Sequence, residues 1–415
     1  MATSAKAAFA FSSRIASGYG MNPEVTIVMP CLNEAETLGD CIAAARRGLE
    51  DAGVEGEILI ADNGSSDGSP DIARRLGARV VDIPAKGYGN ALRGGMDAAC
   101  GRFLIMGDAD RSYDFSRIRP FIEKLRQGAD LVMGCRMPGG GGQIDPGAMP
   151  WKHRWIGNPV LTFIGRLLFR CPSHDFHCGL RALTKDAFLR MDLRTPGMEF
   201  ASEMVIKASL RGLRIEETPI TLHKDGRSRP PHLRSWRDGW RHLRFMLLFS
   251  PRWLLLYPGL ALLMVTGALF ARLMAGPLRM GGVSFDLNSL DIAGMGLLLG
   301  YQMVLLACFV RIFAYTRGFL PPNHILSRAF GFFTLEKGLA AGLLVVCAGL
   351  GLIGTILYGW AMSGFGNLDP LANTRTVIAG RTLVSIGLQT LLFSLVFSYL
   401  GIDQKPAVQA LSTRS

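Results

Sequence analysis

Phe103-Leu104-Ile105-Met106-Gly107-Asp108-Ala109-Asp110-Arg111-Ser112 decides how the rest of the chain is read. Four apolar residues in succession predict a buried strand, and an Asp-x-Asp pair follows at its C-terminal end. While strand geometry persists, Asp108 and Asp110 project to the same side, so two hard oxygen ligands converge on one cation. Open α/β sheets place their ligands along that edge. Mg2+ or Mn2+ held there neutralises a nucleoside diphosphate and makes it a leaving group. Taken alone, the same residues also describe an ordinary polar turn after a strand.

Outward from this strand, strands and helices alternate. Val25-Thr26-Ile27-Val28-Met29 is β-rich and ends at Pro30. A helix follows it, with Leu38, Cys41, Ile42, Ala45 and Leu49 on one face. Glu57-Ile58-Leu59-Ile60-Ala61 is a second strand, whose loop Asp62-Asn63-Gly64-Ser65-Ser66-Asp67-Gly68 leads to Ser69-Pro70. Ser69 is predicted to cap the next helix, with Pro70 at its first position and Gly77 at its end. Arg79-Val80-Val81 is a third strand, and a helix over 90–99 leads back to Phe103. A helix from Pro120 to Gly128 and a strand Leu131-Val132-Met133 complete the pattern. Such alternation predicts a mainly parallel sheet covered on both faces.

The apolar fraction is 49% of 415 residues, and it is concentrated beyond Phe245. Four stretches, about 254–274, 292–313, 339–362 and 377–400, are each long enough to cross a ~30 Å hydrocarbon core. A soluble-type domain is therefore fused to a membrane domain. The net charge of +12 suits an anionic membrane surface better than nucleic acid in such a chain. The 8 cysteines include no Cys-x-x-Cys, so a disulfide framework is not expected, and the usage fits a reducing, cytosol-facing domain. Residues 1–22 carry Lys6 and Arg14 without a sustained apolar core and read as a flexible tail rather than a signal peptide. The expected divisions are 1–22, a catalytic domain over 23–230, an interfacial helix over 231–250, four spans within 251–402 and a tail over 403–415.

Two further helices bear on the membrane. Residues 156–170 carry Val160, Phe163, Ile164, Leu167 and Leu168, either as a core helix or as one lying on the bilayer. Over 232–249, Leu233, Trp236, Trp240, Leu243 and Leu247 form one stripe, and Arg234, Arg237, Arg241 and Arg244 a second. Trp and Arg in this arrangement suit the headgroup region. The loop between the second and third spans holds Arg317 and Arg328, flanked by Arg311 and Lys337, against Arg279 and Arg375 in the other two. That bias places the long loop, the catalytic domain and both termini in the cytoplasm of a multi-pass membrane protein. Arg381, inside the fourth span, either snorkels or pairs within the bundle.

Four loops fall at one sheet edge: Pro30-Cys31-Leu32-Asn33-Glu34, Asp62 to Asp67, Lys86-Gly87-Tyr88-Gly89-Asn90-Ala91, and Asp108-Ala109-Asp110. In this order and spacing the set resembles the family-two glycosyltransferases of GT-A fold. More closely it resembles the polyprenyl-phosphate hexose synthases, of the dolichol-phosphate mannose synthase type, over residues 23–230. The resemblance implies a nucleotide-sugar site in which Pro30 and Glu34 frame the base and ribose, Asp62 binds the nucleoside and Lys86 joins the donor site. Asn63 stands where the family often has a second Asp, which bears on base preference. Asp108 and Asp110 would hold Mg2+ or Mn2+ and the diphosphate, with Ser112 in place of a Gln.

The acceptor side follows from the same resemblance. Arg136, in Gly134-Cys135-Arg136, matches a Gly-Ser-Arg element, and Arg154 with Asn158 matches Arg-x-x-x-Ser. Asp175-Phe176-His177-Cys178-Gly179-Leu180-Arg181 matches a signature ending in Gly-Phe-Arg. Gly226-Arg227-Ser228-Arg229 matches a terminal Gly-x-Ser-Lys loop, with His223 where an Arg is usual. Arg136, Arg154, Asn158, Arg227 and Arg229 would bind the acceptor phosphate, and Asp108, Asp110, Arg136 and Arg154 would form the catalytic set. The implied reaction moves a hexose from UDP or GDP to dolichyl or undecaprenyl phosphate, with no nucleic acid involved and a homo-oligomer left open. Because the acceptor phosphate is already ionised, no strong base is required. The protein must bring two anions together, which metal and cationic side chains do, and a single displacement inverts the anomeric carbon.

Other readings are weighed against this one. Cys171, His174, His177 and Cys178 have zinc-like spacing, although adjacent ligands at 177 and 178 are awkward. Trp151-Lys152-His153-Arg154-Trp155 lacks the Gln of the Gln-x-x-Arg-Trp found in chain-extending synthases. A sugar nucleotidyltransferase would need a Gly-rich loop where Pro30 to Glu34 stand. A non-enzymatic lipid carrier with a nucleotide-sensing domain would not need the Asp108/Asp110 pair.

Overall fold

β1 (Val25–Cys31) is the axis of the first unit. Val25, Ile27, Met29 and Cys31 enter one hydrophobic core and Val28 the opposite one, the period of two expected of a strand covered on both faces. The computed structural model describes residues 23–228, 235–316, 334–366 and 370–402. Contacts divide the chain at Phe249/Ser250.

α1 (Leu38–Ala52) returns the chain to β2 (Gly56–Asp62), and α2 (Ser69–Arg75) returns it to β3 (Arg79–Asp82). α3 (Tyr88–Ala98) leads to β4 (Phe103–Met106). α4 (Arg119–Arg126) and β5 (Leu131–Cys135) follow, then β6 (Gln143–Ile144), α5 (Asn158–Phe169) and β7 (Arg181–Thr184). α6 (Lys185–Met191), α7 (Phe200–Leu210), β8 (Ile215–Pro219), β9 (Thr221–Leu222) and α8 (Ser235–Leu248) complete the unit. Seven strands pair in the order β3-β2-β1-β4-β7-β5-β8. β7 runs antiparallel to both neighbours, and the other pairs are parallel. The C-terminal ends of β1 to β5 therefore share one edge, as the alternating pattern predicts.

Two local expectations change. Ser69 does not cap α2: Gly68 precedes the helix, and the buried Ser69 hydroxyl instead donates to Asp67 and accepts from the Glu34 amide. The helix expected over 156–170 starts earlier, with a π-turn over His153–Gly157 running into α5. β7 has no apolar run to announce it, because it opens on the fully buried Arg181.

The second unit contains α9 (Tyr257–Met274), a hairpin of β10 (Leu278–Met280) and β11 (Val283–Phe285), then α10 (Leu287–Thr316), α11 (Leu335–Met362) and α12 (Pro370–Ile402). Among the described residues, four helices are long and apolar enough to cross a bilayer. α11 and α12 approach at glycines: a Cβ on Gly349 would lie 2.6 Å from the Gly380 carbonyl oxygen. Small residues permit such close packing where water supplies no hydrophobic drive. Arg381 resolves to pairing rather than snorkelling, since it meets Asp291 of α10, and Arg375 meets Asp286.

α3 lies against the sheet at Gly95, where a Cβ would stand 2.6 Å from Val28 Cγ1 and 3.0 Å from Ala61 Cβ. Gly95→Val is expected to overpack this contact and destabilise the first unit by about 1–3 kcal/mol. Denaturant unfolding followed by near-UV circular dichroism checks this; an unchanged midpoint would mean that α3 simply shifts.

Candidate active site

The loops after β1 and β2 are joined by hydrogen bonds before any ligand is considered. The Asn63 amide donates to the Cys31 carbonyl (2.9 Å), the Asn33 amide to Ser65 Oγ (2.9 Å), and the Ser66 amide to Asn33 Oδ1 (2.7 Å). The Ala35 amide donates to Asp67 Oδ2 (2.9 Å). Asn33 has φ 59°, a left-handed conformation that Asn tolerates better than most residues. These contacts form a cleft of about 250 Å³ lined by Asn33, Glu34, Glu36, Ser66, Asp67 and Arg227. Asp62 is buried beneath the loop and accepts from the Gly64 and Ser65 amides (3.0 and 3.1 Å). Pro30 lies within β1, in register with Ala61.

Asn63 braces the third loop. Its Nδ2 donates to the carbonyls of Ile83 and Ala85 (2.9 and 2.8 Å), and its Oδ1 accepts from the Gly87 amide (2.8 Å). The Lys86 ammonium donates to the Asn63 carbonyl (2.6 Å) and lies over Gly64, where a Cβ would come within 2.1 Å of Nζ. The side chain of Asn63 is thus committed to the protein on both of its amide atoms, so any bearing on base preference would act through the loop that it braces.

At the end of β4, Asp108 Oδ1 accepts from the Tyr88 hydroxyl (3.0 Å), and Asp110 Oδ1 accepts from the Ser112 amide (3.0 Å). The Thr37 hydroxyl donates to the Ala109 carbonyl between them (2.6 Å). Burial, and then the Asp110 carboxylate, push the Asp108 carboxyl up to about 7, while Tyr88 and Arg227 oppose the rise. Gly179 is what permits this packing: a Cβ there would lie 3.0 Å from Asp108 Oδ2 and 2.9 Å from the Tyr113 hydroxyl oxygen. Arg227 bonds to Asp110 and to Glu34 (3.3 Å). A guanidinium standing among these carboxylates shows that the site is built for positive charge. Asp108 and Asp110 offer the hard oxygens that Mg2+ or Mn2+ prefers, and a diphosphate and water would complete the shell.

The cationic residues matched to the acceptor behave differently from one another. Arg136 is gripped at two points by the buried Asp175, Nε to Oδ2 at 2.7 Å and Nη2 to Oδ1 at 2.8 Å. Burial alone would raise the Asp175 carboxyl, but Arg136 outweighs it and holds Asp175 below its ordinary range. His153 is lowered by burial and then by Arg136. Arg154 is half-buried on the π-turn, with Cζ 5.4 Å from the Trp155 ring centroid, and among the described residues it has no carboxylate within ion-pair distance. Asn158 Nδ2 donates to Met149 Sδ (3.3 Å). Arg227 meets Glu34 and Asp110, while Arg229 falls outside the described residues.

Residues 26–191 match the glycosyl transferase family 2 model, and residues 308–401 match the glycosyltransferase family 2 C-terminal transmembrane region. The chain is 36% identical over 383 residues to the low-salt glycan biosynthesis hexosyltransferase Agl6 of Haloferax volcanii, spanning 91% of this chain and 89% of that protein. The chain belongs to glycosyltransferase family 2. It is also 28% identical over 197 residues to a dolichyl-phosphate hexose transferase of the same organism, spanning 48% of this chain and 82% of that one. A more distant likeness is to the solved glucosyl-3-phosphoglycerate synthase of Mycobacterium tuberculosis with Mn2+, UDP-glucose and phosphoglyceric acid. It is 22% identical, with a TM-score of 0.41, and covers 56% of this chain and 80% of that chain.

This glycosyltransferase is a multi-pass membrane enzyme, with its sugar-transfer chemistry in a mainly parallel GT-A-like sheet. Membership of the family sets aside the nucleotidyltransferase and the non-enzymatic carrier. The zinc reading also goes, because among the described residues no three His, Cys, Asp or Glu side chains are grouped to hold a metal ion. His174 pairs with Glu217 (2.7 Å), and the half-buried His177 packs edge-on against His242 instead. Tyr88 opens α3 and Thr37 directly precedes α1, and their only signal in the sequence is this place after a β-strand. Arg181 of the Gly-Leu-Arg signature is a scaffold residue whose guanidinium donates to the carbonyls of Phe176, Cys178 and Ala201.

Asn63→Asp is expected to unfasten the Lys86 loop, because a carboxylate faces two carbonyls that need a donor. The cost is about 2–4 kcal/mol, from two lost bonds and two unsatisfied acceptors. Thermal unfolding of the purified enzyme measures it, and wild-type stability would show that the loop repairs itself.

Proposed function

We propose that this glycosyltransferase moves a hexose from UDP or GDP to the phosphate of a membrane-held polyprenyl phosphate, inverting the anomeric carbon. The observation that carries the lipid acceptor is Arg154. It stands without a carboxylate partner among the described residues, on a surface where Trp151, Trp155, Ile156, Val160 and Phe163 are 49–68% exposed. An unspent guanidinium in an exposed apolar patch suits an anion carried on a hydrocarbon tail. The relative named hexosyltransferase supports transfer of a hexose, and the one named dolichyl-phosphate hexose transferase supports a polyprenyl-phosphate acceptor.

Roles follow from position. Glu34 and Asp62 face the nucleoside, with Lys86 beside the same loop. Asp108 and Asp110 would hold Mg2+ or Mn2+, which when bound neutralises the departing diphosphate. Arg154 orients the acceptor phosphate through its planar fork, with Asn158 one helical turn on. Arg136, fixed by Asp175, contributes field rather than a free hand. Arg229, at the Lys position of the Gly-x-Ser-Lys element, is assigned to the acceptor phosphate by the resemblance. The acceptor oxygen is ionised near neutral pH, so the chain needs no general base; its work is to hold two anions in line. On α8, Met246 and His242 are buried while Arg237, Trp240, Arg241, Arg244 and Leu248 are exposed, which suits a helix seated in the headgroup layer. The Arg and Lys bias of the connecting loops supports a cytoplasmic catalytic unit.

The deciding experiment incubates purified enzyme with a panel of sugar nucleotides and undecaprenyl or dolichyl phosphate, then identifies the lipid by mass spectrometry. A single-phosphate lipid hexose and released nucleoside diphosphate are expected, both lost with a chelator. A lipid carrying a diphosphate-linked sugar would overturn the reading. Asp110→Ala is expected to lower turnover about 10³-fold or more, several kcal/mol of transition-state stabilisation; near-normal turnover in a folded variant would remove the metal role.

Arg154→Ala separates acceptor from donor. The apparent KM for the lipid phosphate is expected to rise about tenfold or more, the loss of one charge-assisted contact. Donor affinity by calorimetry should stay near wild type. A large loss of nucleotide binding would place Arg154 in the other half of the site.

A further inference from the structure

Arg227 stands on the donor side although its loop was matched to the acceptor. Its side chain is 11% exposed and meets both Glu34 and Asp110. Asp108, in turn, is among the carboxyls that the Arg227 charge bears upon. Among the described residues, the other basic side chains near this edge are committed elsewhere: Arg111 pairs with Asp40 (3.1 Å) and Lys86 bonds to the Asn63 carbonyl. Arg227 is therefore the counter-ion of the carboxylate cluster.

It is held there by a strap with several fastenings. The Gly226 amide donates to the Asp110 carbonyl (2.9 Å). Ser228 donates twice to Glu36, from its amide (2.8 Å) and its hydroxyl (2.6 Å). Upstream, the His223 amide donates to the Ser112 carbonyl (3.0 Å), and its ring bonds to Asp145 (2.7 Å). Gly226 fits because it has no side chain; a Cβ would come within 2.9 Å of Arg111 Cδ and 3.1 Å of Thr37 Cγ2. Backbone and side chain together present one cation to the carboxylates that a divalent metal would also use.

We propose that Arg227 and the divalent cation are alternative partners of Asp110, exchanged when the donor binds. This rests on the metal and nucleotide-sugar assignment above. The guanidinium and a dication beside the same carboxylate repel one another, so metal alone has to displace Arg227 without compensation. A nucleoside diphosphate arriving with the metal supplies the negative charge that gives Arg227 a new partner in its phosphate oxygens. Metal and nucleotide therefore bind cooperatively, and Arg227 moves from closing the resting site to holding the loaded one. In this role Arg227 is a positioning residue whose first contact is with the protein's own acids.

The test is a Mn2+ titration of the full-length enzyme in detergent, following free Mn2+ by electron paramagnetic resonance, with and without UDP or GDP. Arg227→Gln is expected to bind Mn2+ alone at least tenfold more tightly than wild type. The tightening that nucleotide gives to Mn2+ binding is expected to shrink by a similar factor. Equal or weaker Mn2+ binding by the variant would overturn the exchange while leaving the transferase reading intact. No Mn2+ binding by either protein, with nucleotide present, would remove the metal assignment and the exchange with it. If Arg227→Gln fails to fold, wild-type hydrogen exchange decides: the Gly226 and Ser228 amides are expected to lose protection when Mn2+ and nucleotide are added together. Unchanged protection there would overturn the exchange.

Discussion

The carboxylates at the end of β4 cannot be left without positive charge, and much of the surrounding structure answers that requirement. Asp108, Asp110 and Glu34 are brought close by two different loops, and burial makes their mutual repulsion expensive. Burial first, and then the Asp110 carboxylate, push Asp108 up to about 7, and Arg227 is drawn in. The loops that hold the cluster accept unfavourable backbone to do so: Asn33 and Arg111, flanking Glu34 and Asp110, have φ of 59° and 67°. Left-handed conformations of this kind in non-glycine residues persist where the surroundings over-determine them. Here the hydrogen bond that the Asn33 amide donates to Ser65, and those donated by the Ser66 and Ser112 amides, provide that constraint.

The basic residues divide into two kinds that share a composition and differ in partners. Arg136 and Arg181 are buried and fully engaged, one by the Asp175 carboxylate and the other by three carbonyls. Truncating either would leave a buried charge or several unsatisfied acceptors, so loss of activity in such variants would report on folding as much as on chemistry. Arg154 is the contrasting case. Its guanidinium lies over the Trp155 ring and makes no ion pair among the described residues, which leaves its in-plane donors available for a ligand.

What the sequence discloses follows from the range of the interactions concerned. β1, β2 and β4 are apolar runs, and α1 buries Leu38, Cys41, Ile42, Ala45 and Leu49 on the helical period, so each is legible from neighbours in the chain. The loop positions at the sheet edge follow from the alternation of elements, which is why Asp62, Asp108 and Asp110 could be placed before any coordinates. Partnerships across long separations are different. Arg136 is 39 residues from Asp175, and Arg227 is 117 from Asp110; nothing local marks either pair. Asn63 illustrates a subtler limit, because its residue type suggests recognition of a ligand. Only the positions of the Ile83 and Ala85 carbonyls reveal that its amide is already spent. The same holds for Arg381, whose apolar neighbours suggest an isolated charge until Asp291 is seen opposite it.

On the proposed reading, the contrast between the two halves of the catalytic unit follows from where the substrates come from. A nucleotide sugar arrives from water, fully hydrated and highly charged, and its site has to replace that hydration with fixed dipoles and ions. The donor half meets this with loops cross-braced by hydrogen bonds and with acids already balanced by Arg227. A polyprenyl phosphate brings a headgroup whose tail never leaves the bilayer. A deep polar pocket would oblige that tail to cross water, so the acceptor half must instead be shallow and open onto an apolar surface. Trp151, Trp155 and Phe163, each more than 60% exposed, would be a liability on a domain surrounded by water. Beside Arg154 they form a surface on which a tail and a phosphate are accommodated together, and the cost of their exposure is offset by contact with lipid.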